Sequence, residues 1–427
     1  MELGFDYQPR VADQVLELQL EAAGVVLIEG AKWCGKTTTA LRQAASVIFM
    51  DEPKHKEEYR QLAETDIDVL LDGKTPRLID EWQKSPQFWD ACRYIVDRRG
   101  QEGQFILTGS ATPVNQQDIE HTGTGRVGWV KMRPMSLYES GESNGSISLT
   151  ALFNGEFKPG QSKELNLRDI SYLVCRGGWP KAIGKSERAA LRQAFNYIDA
   201  IAKREISDVD EVNRSEANTR RLLRSYARHQ GAQASNATIA ADLKANGNGT
   251  LSEDTIASYL KALRKIFVIE DMEAWNPNLR SKAAIRTTDT RYFVDPSIAT
   301  AAMGLGPDDL MKDLNTLGLL FETMCVRDLR VYADAIDGNV FHYRDNNQLE
   351  CDSVVHLRNG HYGLIEIKLG GEKLINEGAA NLKLLAEKID TGKMYPPSFL
   401  MVLTAVGTYA YKRPDGVLVV PISCLKF

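Results

Sequence analysis

The sequence predicts an α/β chain built in series. A phosphate-binding domain comes first, then a helical and winged-helix middle, then a smaller α/β module at the C-terminus. Three observations carry this reading. The apolar run Gly24-Val-Val-Leu-Ile-Glu29 leads straight into the glycine-bounded loop Gly30-Ala31-Lys32-Trp33-Cys34-Gly35-Lys36-Thr37. Ala237–Leu243 and Ser252–Lys265 follow helical spacing around a loop containing Asn246-Gly-Asn-Gly249. From Leu314 onwards the pattern runs helix, three strands, helix.

The first element is a strand followed by G-x-x-x-x-G-K-[ST] and a helix opened by Thr37 and Thr38. Gly30 and Gly35 let the backbone turn the N–H groups of Ala31, Lys32, Trp33 and Cys34 inward around phosphate oxygens. The helix N-terminus adds positive potential. Lys36 suits the β- and γ-phosphates of a nucleotide, and the Thr37 hydroxyl suits its Mg²⁺ ion.

Pro76-Arg-Leu-Ile-Asp80-Glu81 reads as a second strand ending in two acids. Asp80 suits the Mg²⁺ shell, and Glu81 suits polarisation of an attacking water. Gln104-Phe-Ile-Leu-Thr108-Gly-Ser110 reads as a third strand whose polar end projects near a γ-phosphate, with Ser110 and then Thr108 as candidates. Arg126 follows in the Gly-rich segment 121–126. The polar stretch 139–146 reads as a loop closing this first domain.

In the middle, Arg220, Arg224 and Arg228 fall at i, i+4 and i+8 of one helix, a basic stripe suited to phosphate backbones or to a solvated face. Ser252 is a plausible N-cap, and Ile256, Tyr259, Leu260, Leu263 and Phe267 form the expected buried face. Phe267–Met272 reads as the strand of a wing.

In the C-terminal module Val340–Arg344, Leu349–Leu357 and Tyr362–Leu369 read as strands, with Arg358-Asn-Gly360 as a hairpin turn. Glu366 and Lys368 share one face of the third strand, and Glu350 and Asp352 share a face of the second. If these strands pair, Asp352 and Glu366 converge and can hold Mg²⁺ while Lys368 orients or deprotonates a water, the arrangement that phosphodiester cleavage needs. The alternative is a half-exposed, charged strand face.

GAKWCGKTTTA, PRLIDEWQ, FILTGSAT, HTGTGR, MRPMSLYESGES, RGGWP, YFVDPSIA, LFETMCVRDLRVYA and the ECD…IEIKLG hairpin, in that order, resemble a family of prokaryotic AAA+-superfamily P-loop ATPases. Members carry a C-terminal domain of unknown function that is similar to the PD-(D/E)XK nucleases, as in archaeal Holliday junction resolvases. The resemblance implies an AAA+-like ATPase domain over 1–140 and a restriction-endonuclease-like α/β domain over 310–427, and the residue pattern between them reads as a helical region over 165–215 and a winged helix over 216–295. The resemblance implies ATP and Mg²⁺ bound through Lys36, Thr37, Asp80 and Glu81, Ser110 as a γ-phosphate sensor and Arg126 as an arginine finger. It also implies a nuclease set of Asp352, Glu366 and Lys368, with Glu322 as an extra acid. One departure is that Val340–Leu349 holds no P-D pair ahead of Asp352.

Composition bounds the rest. The 427 residues are 43% hydrophobic and 26% charged, with a net charge of −5. A field of that sign does not draw in nucleic acid, so a DNA contact needs a local basic patch. No apolar run reaches a membrane span, and six scattered cysteines without a C-x-x-C pair suit a reducing cytoplasm. The expected protein is a cytoplasmic, DNA-acting ATPase that forms homo-oligomers. Its rival is a nucleotide-dependent switch whose C-terminal module is an inert binding platform.

Overall fold

The computed structural model describes residues 7–109, 125–246, 250–280 and 285–427. The chain divides into two compact units. The first holds Met1–Pro134, Arg204–Arg214 and Lys261–Val268, and the second holds Met135–Lys203, Ser215–Leu260 and Ile269–Phe427.

In the first unit β1 (Val25–Gly30), β2 (Ser46–Phe49), β3 (Arg77–Asp80), β4 (Phe105–Gly109) and β5 (Val127–Met132) form one sheet in the order β2-β3-β4-β1-β5. Every pairing is parallel. A parallel sheet must be covered on both faces, and the strands read accordingly as apolar runs. Alternate residues of β1 enter opposite cores. Val25 and Leu27 pack with Phe88, Trp89, Cys92 and Val96 of helix Gln87–Arg99. Val26 and Ile28 pack with Leu16 and Leu20 of helix Val11–Ala22 and Ala40 of helix Lys36–Gln43. Because all five strands point the same way, Gly30, Asp80 and Gly109 end on one edge, where ligands of open α/β sheets bind.

The second unit contains a seven-stranded sheet in the order β7-β12-β13-β11-β10-β9-β8. Its strands are β7 (Gly160–Gln161), β8 (Gly338–Arg344), β9 (Glu350–Leu357), β10 (Tyr362–Lys368), β11 (Phe399–Thr404), β12 (Tyr409–Lys412) and β13 (Leu418–Pro421). A separate short pair joins β6 (Ile147–Ser148) to β14 (Leu425–Lys426). β8, β9 and β10 are antiparallel neighbours, whereas β10, β11 and β13 run parallel. Helix Leu314–Asp334 precedes β8 and helix Glu372–Lys388 connects β10 to β11. Strands β11 to β13 extend the sheet beyond the three strands that the sequence predicts. β11 is a continuous apolar run, FLMVLT, whose period does not distinguish a strand from a buried helix.

Helices Glu216–Arg228, Asn236–Ala245 and Glu253–Lys265 occupy the middle. Ile256, Tyr259, Leu260 and Leu263 are buried as their spacing requires. The strand expected over 267–272 is reduced to single antiparallel bridges, Ile269 with Phe293 and Met272 with Thr290. Phe267 lies in the left-handed region (φ 57°), which interrupts regular pairing at that point. Residues 135–146 pack with the second unit rather than the first: Leu137 N–H donates to Asp328 Oδ2 and Ser143 Oγ to Leu425 O.

Candidate active site

The loop between β1 and helix Lys36–Gln43 has a backbone that few sequences permit. Gly30 (φ 150°) and Gly35 (φ 105°) take glycine-favouring angles. A Cβ on Gly30 would stand 2.0 Å from Met132 O of the adjacent strand. Trp33 (φ 67°) carries the remaining left-handed turn and is exposed. Lys36 is buried, and its Nζ donates to Gly30 O at 2.8 Å and Ala31 O at 2.9 Å. Lys32 Nζ pairs with Glu205 at 2.9 Å. Arg10, which sequence reasoning missed, braces the loop from behind: its guanidinium donates to Cys34 O at 2.7 Å and Arg133 O at 2.8 Å.

Asp80 and Glu81 end β3 beside this loop. Asp80 Oδ1 accepts from Thr37 Oγ1 at 2.8 Å and also from Thr108 Oγ1. Asp80 and Thr108 are register partners on adjacent strands, so their side chains share a face. Thr37, Asp80 and Thr108 thus supply clustered oxygen ligands, the hard donors that Mg²⁺ takes. Glu81 is left-handed (φ 58°), so the chain reverses immediately after Asp80. Burial first, and the charge of Asp80 second, hold the Glu81 carboxyl above its usual range. Gln83, also missed, donates from Nε2 to Glu81 Oε2 at 2.6 Å.

Thr38 lies in the first turn of the loop's helix. Ser110 lies outside the described residues. Arg126 immediately precedes β5, where Val25 N–H donates to its carbonyl at 3.1 Å, so it sits at the sheet edge opposite the loop. Its guanidinium pairs with Asp97 at 2.8 Å and is about half exposed (49%).

In the second unit the hairpin acids do come together. β9 and β10 pair in the register Ser353 with Ile365, which puts Asp352 on the face of Glu366 and Lys368. Lys368 Nζ lies 3.2 Å from Asp352 Oδ2 and 2.6 Å from Glu366 Oε2. Asp352 Oδ2 also accepts the Ile367 N–H at 2.7 Å. Glu366 is buried to 1% side-chain exposure, so this is no wet strand face. Its Oε2 faces the Lys368 ammonium, while Oε1 is buried with no hydrogen-bond partner among the described residues. Burial, with Asp352 second, holds the Glu366 carboxyl well above its ordinary range. For Lys368, burial works to lower the pKa, but the charges of Asp352 and Glu366 outweigh it and raise it.

Glu322, on helix Leu314–Asp334, joins this group. Burial first and the Asp352 charge second push its carboxyl up to about 8, and Tyr292 donates its hydroxyl to it. A Cβ on Gly231 would come within 3.0 Å of Glu322 Oε1. Tyr292 and Gly231 carry no chemical signature in the sequence. Among the described residues no group of three or more His, Cys, Asp and Glu side chains is arranged to hold a metal ion. Two carboxylates remain, Asp352 and Glu366, and the unpartnered Oε1 of Glu366 fits a cation ligand.

The basic stripe is not a free cationic surface. Arg220 pairs with Asp199 and Glu216 (each 2.7 Å), Arg228 with Asp242, and Arg224 donates to Met303 O at 3.2 Å. The remaining motifs meet in a buried polar network. Gly178 N–H and Arg327 both bond Asp295 at 2.9 Å, Arg327 also pairs with Asp328, and Trp179 Nε1 donates to Ser297 Oγ at 2.9 Å. RGGWP is therefore a structural keystone: a Cβ on Gly178 would stand 2.1 Å from Met135 O.

Known proteins resemble this chain in separate stretches. Residues 22–141 match the AAA domain family. Residues 167–309 match a domain of unknown function (DUF8612), and residues 317–425 match another (DUF4143). Uncharacterized proteins of Mycobacterium tuberculosis and Mycobacterium bovis are each 23% identical over 411 residues, covering 95% of this chain and 82% of theirs. The Walker-type ATPase of Pyrococcus abyssi shares 14% identity at a TM-score of 0.42, over 70% of this chain and 99% of that one. The chain thus carries an AAA-type P-loop ATPase domain.

Proposed function

We propose that the first unit binds and hydrolyses ATP with Mg²⁺ on the sheet edge formed by Gly30–Thr37, Asp80 and Glu81. The observation that supports this most directly is the bond from Thr37 to Asp80, because the two come from separate motifs and meet where a nucleotide's metal is held. Lys36 and the loop N–H groups bind and orient the phosphates. Mg²⁺ held by Thr37 and Asp80 would neutralise charge on the β- and γ-phosphate oxygens. Glu81, kept partly protected from water and raised in basicity, accepts hydrogen-bonding from the attacking water and orients it. Ser110 reads the γ-phosphate. Arg126, remote from its own loop, serves the nucleotide of a neighbouring copy, so the active form is a homo-oligomer.

For the C-terminal module we propose a restriction-endonuclease-like site in which Asp352 and Glu366 hold a divalent cation and Lys368 positions the water that cleaves a DNA phosphodiester. The burial of Glu366 with Oε1 unbonded, beside Asp352, supports this reading. The second reading, an inert platform on a nucleotide-driven switch, is favoured by Lys368 already balancing both acids and by the ion-paired arginines of helix Glu216–Arg228. The helices and bridges over 216–295 support a winged-helix reading in either case. ATPase and nuclease assays on one preparation, with a panel of DNA forms, separate the readings. Turnover of ATP with metal-dependent cleavage supports the first, ATP turnover alone supports the second, and failure to bind ATP defeats both.

A further inference from the structure

We infer that Gln83 is a positioning residue that sets the side chain of Glu81 according to the end of β4. This inference rests on the reading of Glu81 as the group that orients the attacking water.

The reasoning starts from the backbone. Glu81 is left-handed, and the next three residues, Trp82–Lys84, form a single tight turn in which Lys84 N–H donates to Glu81 O at 3.1 Å. That turn throws the Gln83 side chain back across Glu81. Its Nε2 donates to Glu81 Oε2 at 2.6 Å, a charge-assisted bond. The other end of the same amide reaches β4: a Cβ placed on Gly109 would stand 2.6 Å from Gln83 Oε1 and 3.3 Å from Trp82 Nε1. A side chain at 109 would push the amide out of this seat. Gln83 Oε1 is buried there and has no hydrogen-bond partner among the described residues.

The amide orientation follows from its neighbours, since turning it over would set an oxygen against the Glu81 carboxylate. Gln83 is therefore clamped between the carboxylate and the last residue of the strand that carries Thr108, itself bonded to Asp80. A displacement of that strand end moves the amide, and the amide moves Glu81. Asp80 and Glu81 are adjacent in the chain yet tied to β4 by two separate contacts, one through Thr108 and one through Gln83.

The test measures ATP turnover and ATP affinity for Gln83→Met, Gly109→Ala, Glu81→Gln and the double variant Glu81→Gln/Gln83→Met. Gln83→Met keeps the volume and removes the amide. Gly109→Ala leaves Gln83 intact and disturbs its seat, and Gly109 is not in the left-handed region; the three nearest described atoms to an alanine Cβ belong to the Gln83 amide and the Trp82 ring. Each is expected to lower kcat about 10- to 100-fold with ATP affinity unchanged, the scale of a misplaced catalytic group. The double variant is expected to be no slower than Glu81→Gln, because Gln83 acts only through Glu81. Unchanged kcat in Gln83→Met, affinity falling in step with kcat, or losses that multiply in the double variant would each overturn the inference. Full turnover by Glu81→Gln would instead remove the reading on which it rests.

Discussion

Thr37 Oγ1 lies 2.8 Å from Asp80 Oδ1, although 43 residues separate the two in the chain. The parallel sheet makes this meeting, by ending β1 and β3 on the same edge with only β4 between them. Lys36→Ala is expected to abolish ATP binding, whereas Glu81→Gln should bind ATP and turn it over only at a small residual rate. Equilibrium nucleotide binding and steady-state turnover on both variants check this, and normal turnover by either contradicts the assignment.

Arg126 sits across the sheet from its own phosphate loop. Arg126→Ala should be nearly inactive alone, and mixing it with the crippled Glu81→Gln should restore part of the turnover through mixed interfaces. A sedimentation experiment showing an active monomer would rule out action between copies.

Lys368 balances Asp352 and Glu366. Removing one partner of a buried charge group costs about 3–5 kcal/mol, so Lys368→Met should lower the melting temperature of the second unit. Mn²⁺ or Mg²⁺ should recover part of the loss if the acids accept a cation, and no recovery favours the inert platform. If the site cleaves DNA, Asp352→Ala and Glu366→Ala should both eliminate cleavage.

His342 is buried in β8, and burial lowers its pKa to about 4. Nε2 lies 3.1 Å from Thr288 O and Nδ1 lies 3.4 Å from the Gln233 amide nitrogen, an arrangement that fits the neutral ring. The unfolded chain binds this proton more readily, near the ordinary value of about 6.5. The contribution is therefore complete above about pH 6.5 and is lost as pH falls towards 4, amounting to roughly 3 kcal/mol at most. Denaturant unfolding across that range should show the acid loss in the parent and a flatter profile in His342→Gln.

Asp295 accepts from Gly178 N–H and Arg327 within the buried network. Among the described residues, Asp295→Ala leaves Arg327 with the neighbouring Asp328 as its acidic partner, and should destabilise the second unit by about 3–5 kcal/mol. Thermal unfolding measures this directly, and a change below about 1 kcal/mol would mean that the network is not a keystone.

The sequence by itself determined the elements whose chemistry is local. A phosphate loop needs its glycines, lysine and threonine within eight consecutive residues, and a strand-end acid pair needs only its own strand, so GAKWCGKT and LIDE were legible without coordinates. The alternation of Glu366 and Lys368 against Ile365 and Ile367 likewise follows from the two-residue period of a strand. Tertiary structure decided what depends on register and on packing between distant segments. Only strand pairing brings Asp352 to Glu366, and only helix Leu314–Asp334 with Tyr292 adds Glu322. The arginines of helix Glu216–Arg228 read as a cationic stripe because their acidic partners Asp199 and Asp242 come from other helices. Gln83 and Arg10 have no pattern to announce them, since their roles consist of one or two side-chain hydrogen bonds whose geometry the fold supplies.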